Sequence, residues 1–403
     1  MLPRGVRYIG HCEQVHSTCL HTRMAASLIV ESKRNHDVEW GTMKTTAAVC
    51  RAFNEPLVIE EIEIAEPGPN QILVKLSACA ICHSDISYAD GAWGGELPAV
   101  YGHEASGIVE RVGSGVSHLR SGDHVVVTLI RSCGRCLSCA EGAPVFCEEV
   151  FALDEKSPLL SRKGEALVQG MRTGAFAEHI VVEASQAVAI PRDVPLDSAA
   201  LIACGVLTGM GAVVNTAKVT TGAHVVVIGC GGVGLNSIQG AKLAGAATII
   251  AVDTVVGKLD AARSFGATHT INALSENVSD RVKEWTSGRK ADFAFVTVGA
   301  KSAIEQALTL IKRNGAAVIV GMPANGVTCT FDPGWLAADG QKILGSKMGS
   351  ARIQIDVPNI VALYKQGRLK LDELISGRYS LSQVNEAIAS VKRGEALRNV
   401  IVF

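Results

Sequence analysis

The sequence predicts an α/β protein with two parts, one β-rich and one built on a doubly wound parallel sheet. Three observations predict it. From Thr45 to about Ala203, runs such as QILVKLSACAI, SGIVERVG and DHVVVTLI gather β-branched residues between glycine turns. From about Gly205, short apolar strands (HVVVIG, TIIAVD, FAFVTVG, AAVIVGM) alternate with helical stretches such as LNSIQGAKLAGA and SAIEQALTLIKRNG, the order of a parallel sheet with helices on both faces. The chain has 403 residues, enough for two hydrophobic cores.

Taken in order, residues 1–43 lack apolar periodicity and read as a disordered extension or an over-early start. They hold His11, Cys12, His16, Cys19 and His21, for which a metal site is the lesser reading. The β-rich part follows, with GSGVSHLRSGDHV as a loop between two of its strands. The strand–helix alternation comes next. The tail after about Asn325 mixes short helices and closes on the strand RNVIVF.

Composition narrows the function classes. The formal net charge is −1 and charged residues make up 19 %, which gives no electrostatic reason to expect nucleic acid or an anionic membrane as partner. No uncharged run of eighteen apolar residues is present, so no membrane span is expected. The chain is long and its first residues carry no secretory pattern, so a reducing, cytoplasmic setting is expected, where clustered cysteines hold metal more often than they pair.

Cys133, Cys136, Cys139 and Cys147 follow the spacing C-x2-C-x2-C-x7-C. Such short loops let four thiolates converge on one tetrahedral ion, and four sulfurs suit zinc. That shell is closed, so this metal would staple a loop rather than bind substrate. A second constellation is more open. Cys82, His103 and Cys204 lie in ICHSDIS, YGHEASG and ACGVLTG. Two thiolates and an imidazole are the three-ligand set of a catalytic zinc with a vacant position. Spacing alone does not join them, and a lone buried cysteine is usually core. Asp85 is placed to orient His103.

GCGGVG supplies G-x-G-x-x-G at Gly229, Gly231 and Gly234, between a buried strand and a helical stretch, and Asp253 ends the next strand. This is the setting of a dinucleotide cradle, with pyrophosphate at a helix N-terminus and ribose on the acid. A carboxylate at Asp253 repels a 2′-phosphate, so NAD is expected over NADP.

With these motifs in view, the chain resembles the zinc-dependent alcohol dehydrogenases of the medium-chain dehydrogenase/reductase superfamily, over roughly Thr45 to Phe403. The resemblance is carried by CHSD (82–85), GHEASGIV (102–109), the four-cysteine loop, CGVLTG (204–209), NTAKV (215–219), GCGGVG (229–234) and RGEALRNVIVF (393–403). It implies a GroES-like β-barrel catalytic domain at 44–205 and 326–403 and a Rossmann cofactor domain at 206–325. It implies two zinc ions per chain, the catalytic one on Cys82, His103 and Cys204 and the structural one on the four-cysteine loop, with Glu104 as an alternate ligand and nearby acid. Ser84 would take the alcohol proton. His83 and Arg398 would touch the pyrophosphate, Gly232 would join the glycine loop, Thr208, Val233 and Val298 would press on the nicotinamide, and Lys258 would sit near the adenosine ribose.

The implied reaction is reversible hydride transfer between a primary or secondary alcohol held at zinc and NAD. An enzyme acting on S-(hydroxymethyl)glutathione is the alternative, and a non-catalytic nucleotide-binding relative is the alternative of another class. Many members end the proton relay on a histidine where this chain has Ser87. Trp93 and Leu129 are candidate pocket residues. A homodimer or homotetramer is expected, with AAVIVGM as a candidate edge strand.

Overall fold

The computed structural model describes residues 41–403. The readings made for residues 1–40 lie outside them. The strand Thr42–Cys50 opens inside the stretch read as an extension.

The β-rich part is two joined sheets. Thr42–Cys50, Val58–Ala65, Leu159–Ser161, Ala166–Gln169 and Ala99–Val100 close into a five-stranded barrel. Beside it runs a sheet in the order Ala187–Ala189, His124–Val127, Glu104–Val112, Gln71–Ala80, Arg398–Val402, Ile375–Ser380, with His179–Glu183 also paired to Gln71–Ala80. Inward residues of both sheets, among them Val49, Ile62, Val74, Val125 and Ile401, share one core. The C-terminal strand thus returns to the first half of the chain. Val400 pairs with Ala80, and Ala80 pairs on its other side with Glu104. That register sets Cys82, Glu104 and Arg398 at the same end of one sheet.

The second part is a six-stranded parallel sheet. Its order is His269–Asn272, Thr248–Asp253, His224–Ile228, Ala291–Val296, Ile311–Ile319, Lys342–Gly345. Its strands are apolar throughout because both faces are covered: Val225 and Val227 enter one core, Val226 and Ile228 another. Strand order reverses between His224–Ile228 and Ala291–Val296, and ligands of such sheets bind at that crevice beyond the carboxyl ends.

Three expectations need correction. The parallel sheet runs past residue 325, since its sixth strand is Lys342–Gly345. AAVIVGM is not the edge, because Ile311–Ile319 is paired on both sides; the edge is Lys342–Gly345. The helix expected over SAIEQALTLIKRNG stops at Leu310, and Ile311 onward is extended, because Ile311 joins the apolar core beneath the sheet. Among the described residues, no single helix is long and apolar enough to cross a membrane.

Candidate active site

Cys82 follows the strand Gln71–Ala80 and caps the short helix His83–Ala89. His103 directly precedes the strand Glu104–Val112. Cys204 sits at the break between the turn Leu201–Ala203 and the helix Gly205–Gly211. Segments distant in sequence thereby meet: one donor atom each from Cys82, His103, Glu104 and Cys204 lies within 4.8 Å of the others, and all four residues are buried.

Asp85 organises this cluster. One carboxylate oxygen accepts from the Cys82 amide at 2.9 Å. The other accepts from the Gly102 amide at 2.9 Å and faces His103 Nδ1 at 2.9 Å. The ring is therefore fixed with Nε2 turned toward the sulfurs, where it has no hydrogen-bond partner while fully buried. An orphaned buried nitrogen beside two thiols is costly, and a bound metal removes that cost. Sulfur and imidazole donors in this number fit zinc.

The charges agree. Contact with the Cys204 thiol, against the cost of burial, holds the Cys82 thiol well below its ordinary pKa. Burial would lower that of His103, but Asp85 and Cys82 overcome it and raise it. Both shifts favour charge on this pair, and binding of a metal ion requires the ligating nitrogen to give up its proton.

Glu104 is fully buried, and burial pushes its pKa up to about 7 against the pull of Arg398. Its Oε2 accepts from the Gly205 amide at 3.2 Å. Arg398 Nη2 stands 2.5 Å from Oε1 as an ion pair that lacks hydrogen-bond alignment. Arg398 is wedged between this acid and the glycine loop: a Cβ on Gly232 would lie 2.3 Å from its Cδ. Its Nε and Nη2 are buried without hydrogen-bond partners, as suits a cation beside an anion-binding loop.

The cradle is formed as well. Gly229 has φ +95°, a region L side chains avoid. A Cβ on Gly234 would lie 1.8 Å from Gly229 O, whereas one on Gly231 would meet nothing within 4 Å. The space above Gly231, at the N-terminus of the helix Gly232–Leu243, fits a pyrophosphate. Asp253 accepts from the Cys230, Thr254 and Val255 amides at 2.7, 2.7 and 2.9 Å. Its carboxylate is thus held at the strand end. Val298 packs against Gly229, and Lys258 lies on the helix Val256–Phe265 that follows Asp253. Thr208 is buried, its Oγ1 3.8 Å from Cys204 Sγ. Val233 lies in the first turn of Gly232–Leu243. His83, exposed, and Ser84, half-buried, open the helix after Cys82.

In the second cluster, the sulfurs of Cys133, Cys136, Cys139 and Cys147 lie within 4.8 Å of one another. Cys136 and Cys147 are 3.9 Å apart, far beyond a disulfide bond. The Cys133 amide points at Cys147 Sγ, and the Arg135 and Cys136 amides at Cys133 Sγ. N–H groups aimed at sulfur stabilise thiolates. Hydrogen bonds from backbone lower the Cys136 pKa to about 7, while burial raises that of Cys139 to about 12.

Two model matches cover most of the described chain: "Alcohol dehydrogenase GroES-like domain" over residues 68–192 and "Zinc-binding dehydrogenase" over residues 232–366. The chain belongs to the zinc-type alcohol dehydrogenases of the medium-chain dehydrogenase/reductase superfamily. It is 36 % identical to the NDMA-dependent alcohol dehydrogenase of Amycolatopsis methanolica over 89 % of this chain and 99 % of that one. It is also 36 % identical to the probable S-(hydroxymethyl)glutathione dehydrogenase 1 of Schizosaccharomyces pombe, over 90 % and 98 %. The crystal structure of benzyl alcohol dehydrogenase from Acinetobacter calcoaceticus matches with TM-score 0.84 and 33 % identity, over 90 % of this chain and 99 % of that one.

Sequence reasoning missed several members of this zinc-dehydrogenase site. Met348 Sδ lies 3.6 Å from Cys204 Sγ and 3.7 Å from Thr208 Oγ1. Met348, Gly349 and Ser350 all have positive φ, backbone strain of the kind that gathers at functional sites. Gly349 is needed because a Cβ there would lie 2.4 Å from Leu207 O. Only the paired glycines of LGSKMGS hint at it in the text. Trp93, a pocket candidate, donates from Nε1 to Pro323 O at 3.0 Å, and Asn325 donates to Trp93 O at 2.9 Å, so it ties the barrel part to the cofactor part. Leu129, the other candidate, is partly buried against the core that includes Cys82 and Cys204.

Proposed function

We propose that this dehydrogenase is NAD-dependent, binds two zinc ions per chain and interconverts a primary or secondary alcohol with its aldehyde or ketone. One observation carries the reading: the buried, unpartnered His103 Nε2 turned toward two cysteine sulfurs, in a cluster that Arg398 links to the glycine loop.

Cys82, His103 and Cys204 would hold the catalytic ion, and Cys133, Cys136, Cys139 and Cys147 the structural one. When bound, zinc supplies Lewis acidity toward the substrate oxygen and NAD supplies the hydride acceptor. The chain's own residues do the rest. Asp85 fixes the imidazole so that Nε2 meets the metal. Ser84 Oγ, two residues from Cys82, takes the alcohol proton and passes it outward past His83. Ser87 cannot end that relay as a base. Thr208, backed by Met348, and Val233 and Val298 would bear on a bound nicotinamide, while Arg398, paired with Glu104, would face the pyrophosphate. Burial of the cluster keeps bulk water away from the hydride path.

Asp253 favours NAD, and kcat/KM with NAD well above that with NADP is expected. Zinc per chain, measured by plasma emission, should approach two, and NADH absorbance should rise with alcohols. One zinc and no NADH would refute the reading. The Schizosaccharomyces pombe relative supports a second reading, oxidation of S-(hydroxymethyl)glutathione, tested by comparing that adduct with plain alcohols. A homodimer or homotetramer through the exposed edge Lys342–Gly345 is inferred. A cytoplasmic setting suits ten described cysteines, all unpaired.

A further inference from the structure

The segment NTAKV carries part of the resemblance, yet the reaction leaves it without a task. The structure supplies one. The helix Gly205–Gly211 runs on into a π-helical turn, Ala212–Thr216, a local widening that is frequent at functional sites. It presents Asn215 and Thr216 to the turn Met348–Ser350. Thr216 Oγ1 lies 2.9 Å from both Ser346 Oγ and Ser350 Oγ. Asn215 Nδ2 donates to Gly349 O at 3.3 Å and to Asp356 Oδ2 at 3.1 Å. Gly211 leaves room for the same turn, since a Cβ there would lie 2.2 Å from Gly349 O.

These contacts hold a costly shape. Met348 and Ser350 have φ of +48° and +49°, a left-handed region that non-glycine residues enter at a cost. What the turn delivers is the thioether of Met348. Its Sδ lies 3.6 Å from Cys204 Sγ and 3.7 Å from Thr208 Oγ1, and Thr208 Oγ1 lies 3.8 Å from Cys204 Sγ. The three atoms form a triangle around one hydroxyl proton. All three residues are buried, so water competes poorly for it. A cysteine that ligates metal does so as a thiolate and has no proton to give. The Thr208 hydroxyl is then the donor, with two sulfurs in reach. A hydrogen bond to a ligating sulfur draws charge from it and tunes the metal.

We propose that Met348 is a positioning residue for the Thr208 hydroxyl: its thioether takes a share of a hydrogen bond that would otherwise go wholly to Cys204, and so keeps that sulfur a strong donor to the metal. The inference rests on the zinc dehydrogenase reading and goes beyond it, by naming the side chain that sets how electron-rich one ligand is.

The test reads the sulfur directly. Cobalt(II) is exchanged into the holoenzyme without NAD, and the thiolate-to-cobalt charge-transfer band is recorded. Any band from the four-cysteine loop is common to all variants and cancels in the differences. Met348→Leu conserves volume but removes the acceptor, so the hydroxyl turns to Cys204 and the band should move to shorter wavelength. Thr208→Val removes the hydroxyl, and the band should move to longer wavelength. In the Thr208→Val background, Met348→Leu should change nothing, because the two side chains act through one proton. Equal shifts from Met348→Leu in both backgrounds would reveal packing or direct ligation and overturn the inference. An unmoved band in Thr208→Val would overturn it without any Met348 variant. A cobalt spectrum that Cys82→Ser and Cys204→Ser leave unchanged would instead overturn the parent reading.

Discussion

Asp85 shows how much one side chain can settle. Its two oxygens take two backbone amides and face an imidazole, so the amide of Asp85→Asn would point an N–H at an N–H. Removing such an orienting carboxylate typically costs metal affinity about 10- to 100-fold. Competition with a chromogenic chelator should show that loss at the site proposed on Cys82, His103 and Cys204, and unchanged affinity would refute the assigned role. His179 makes a prediction about pH. Burial lowers its pKa below the ordinary 6.5, against the pull of Glu110 and Glu178. The unfolded chain therefore takes up the proton first as pH falls. Stability is held above about 6.5 and lost below it. Thermal melts should show His179→Gln losing less Tm than wild type across that window; parallel losses would count against it.

Within elements, the glycine loop separates folding from binding. Gly234→Ala would drive a Cβ to 1.8 Å from a backbone oxygen, and overpacking of this kind costs about 2–3 kcal/mol. Gly231→Ala meets open space, so Tm should barely change while NADH affinity falls about tenfold, or 1.4 kcal/mol. Calorimetry and fluorescence titration check the two, and equal effects from both variants would remove the cradle argument. The four-cysteine loop makes the complementary case. It has little regular structure, only the short turns Leu137–Ala140 and Pro144–Phe146, and the proposed structural zinc would supply its rigidity. Cys147→Ser should lower the zinc count by one per chain and open residues 133–151 to limited proteolysis. A protease-resistant loop would contradict this.

For the whole molecule, the last strand is the decisive connection. Arg398–Val402 pairs with Gln71–Ala80, and this brings Arg398 to Glu104 on one side and to Gly232 on the other. The four-donor cluster and the glycine loop are thereby joined through a single buried guanidinium. At the far side, Lys342–Gly345 leaves a sheet edge exposed, with Ile343 41 % accessible. Unpaired edges invite pairing with another chain. Ile343→Asp should shift the assembly toward monomer in light scattering; an unchanged mass would place the interface elsewhere.

Residues close together in the text were legible from it. The C-x2-C-x2-C-x7-C loop, the glycine motif with its following acid, and the strand–helix alternation are local patterns whose chemistry does not depend on what packs against them. The grouping of Cys82, His103 and Cys204, successively 21 and 101 residues apart, came from resemblance rather than spacing. The sheet register, acting through Ala80 and Glu104, brings Cys82 and His103 together, and Cys204 arrives on the turn Leu201–Ala203 that packs on the strand Glu104–Val112. The reach of the parallel sheet to Gly345 and the strained Met348 were decided by tertiary structure alone. Each depends on which elements already pack together, and no single segment carries that information.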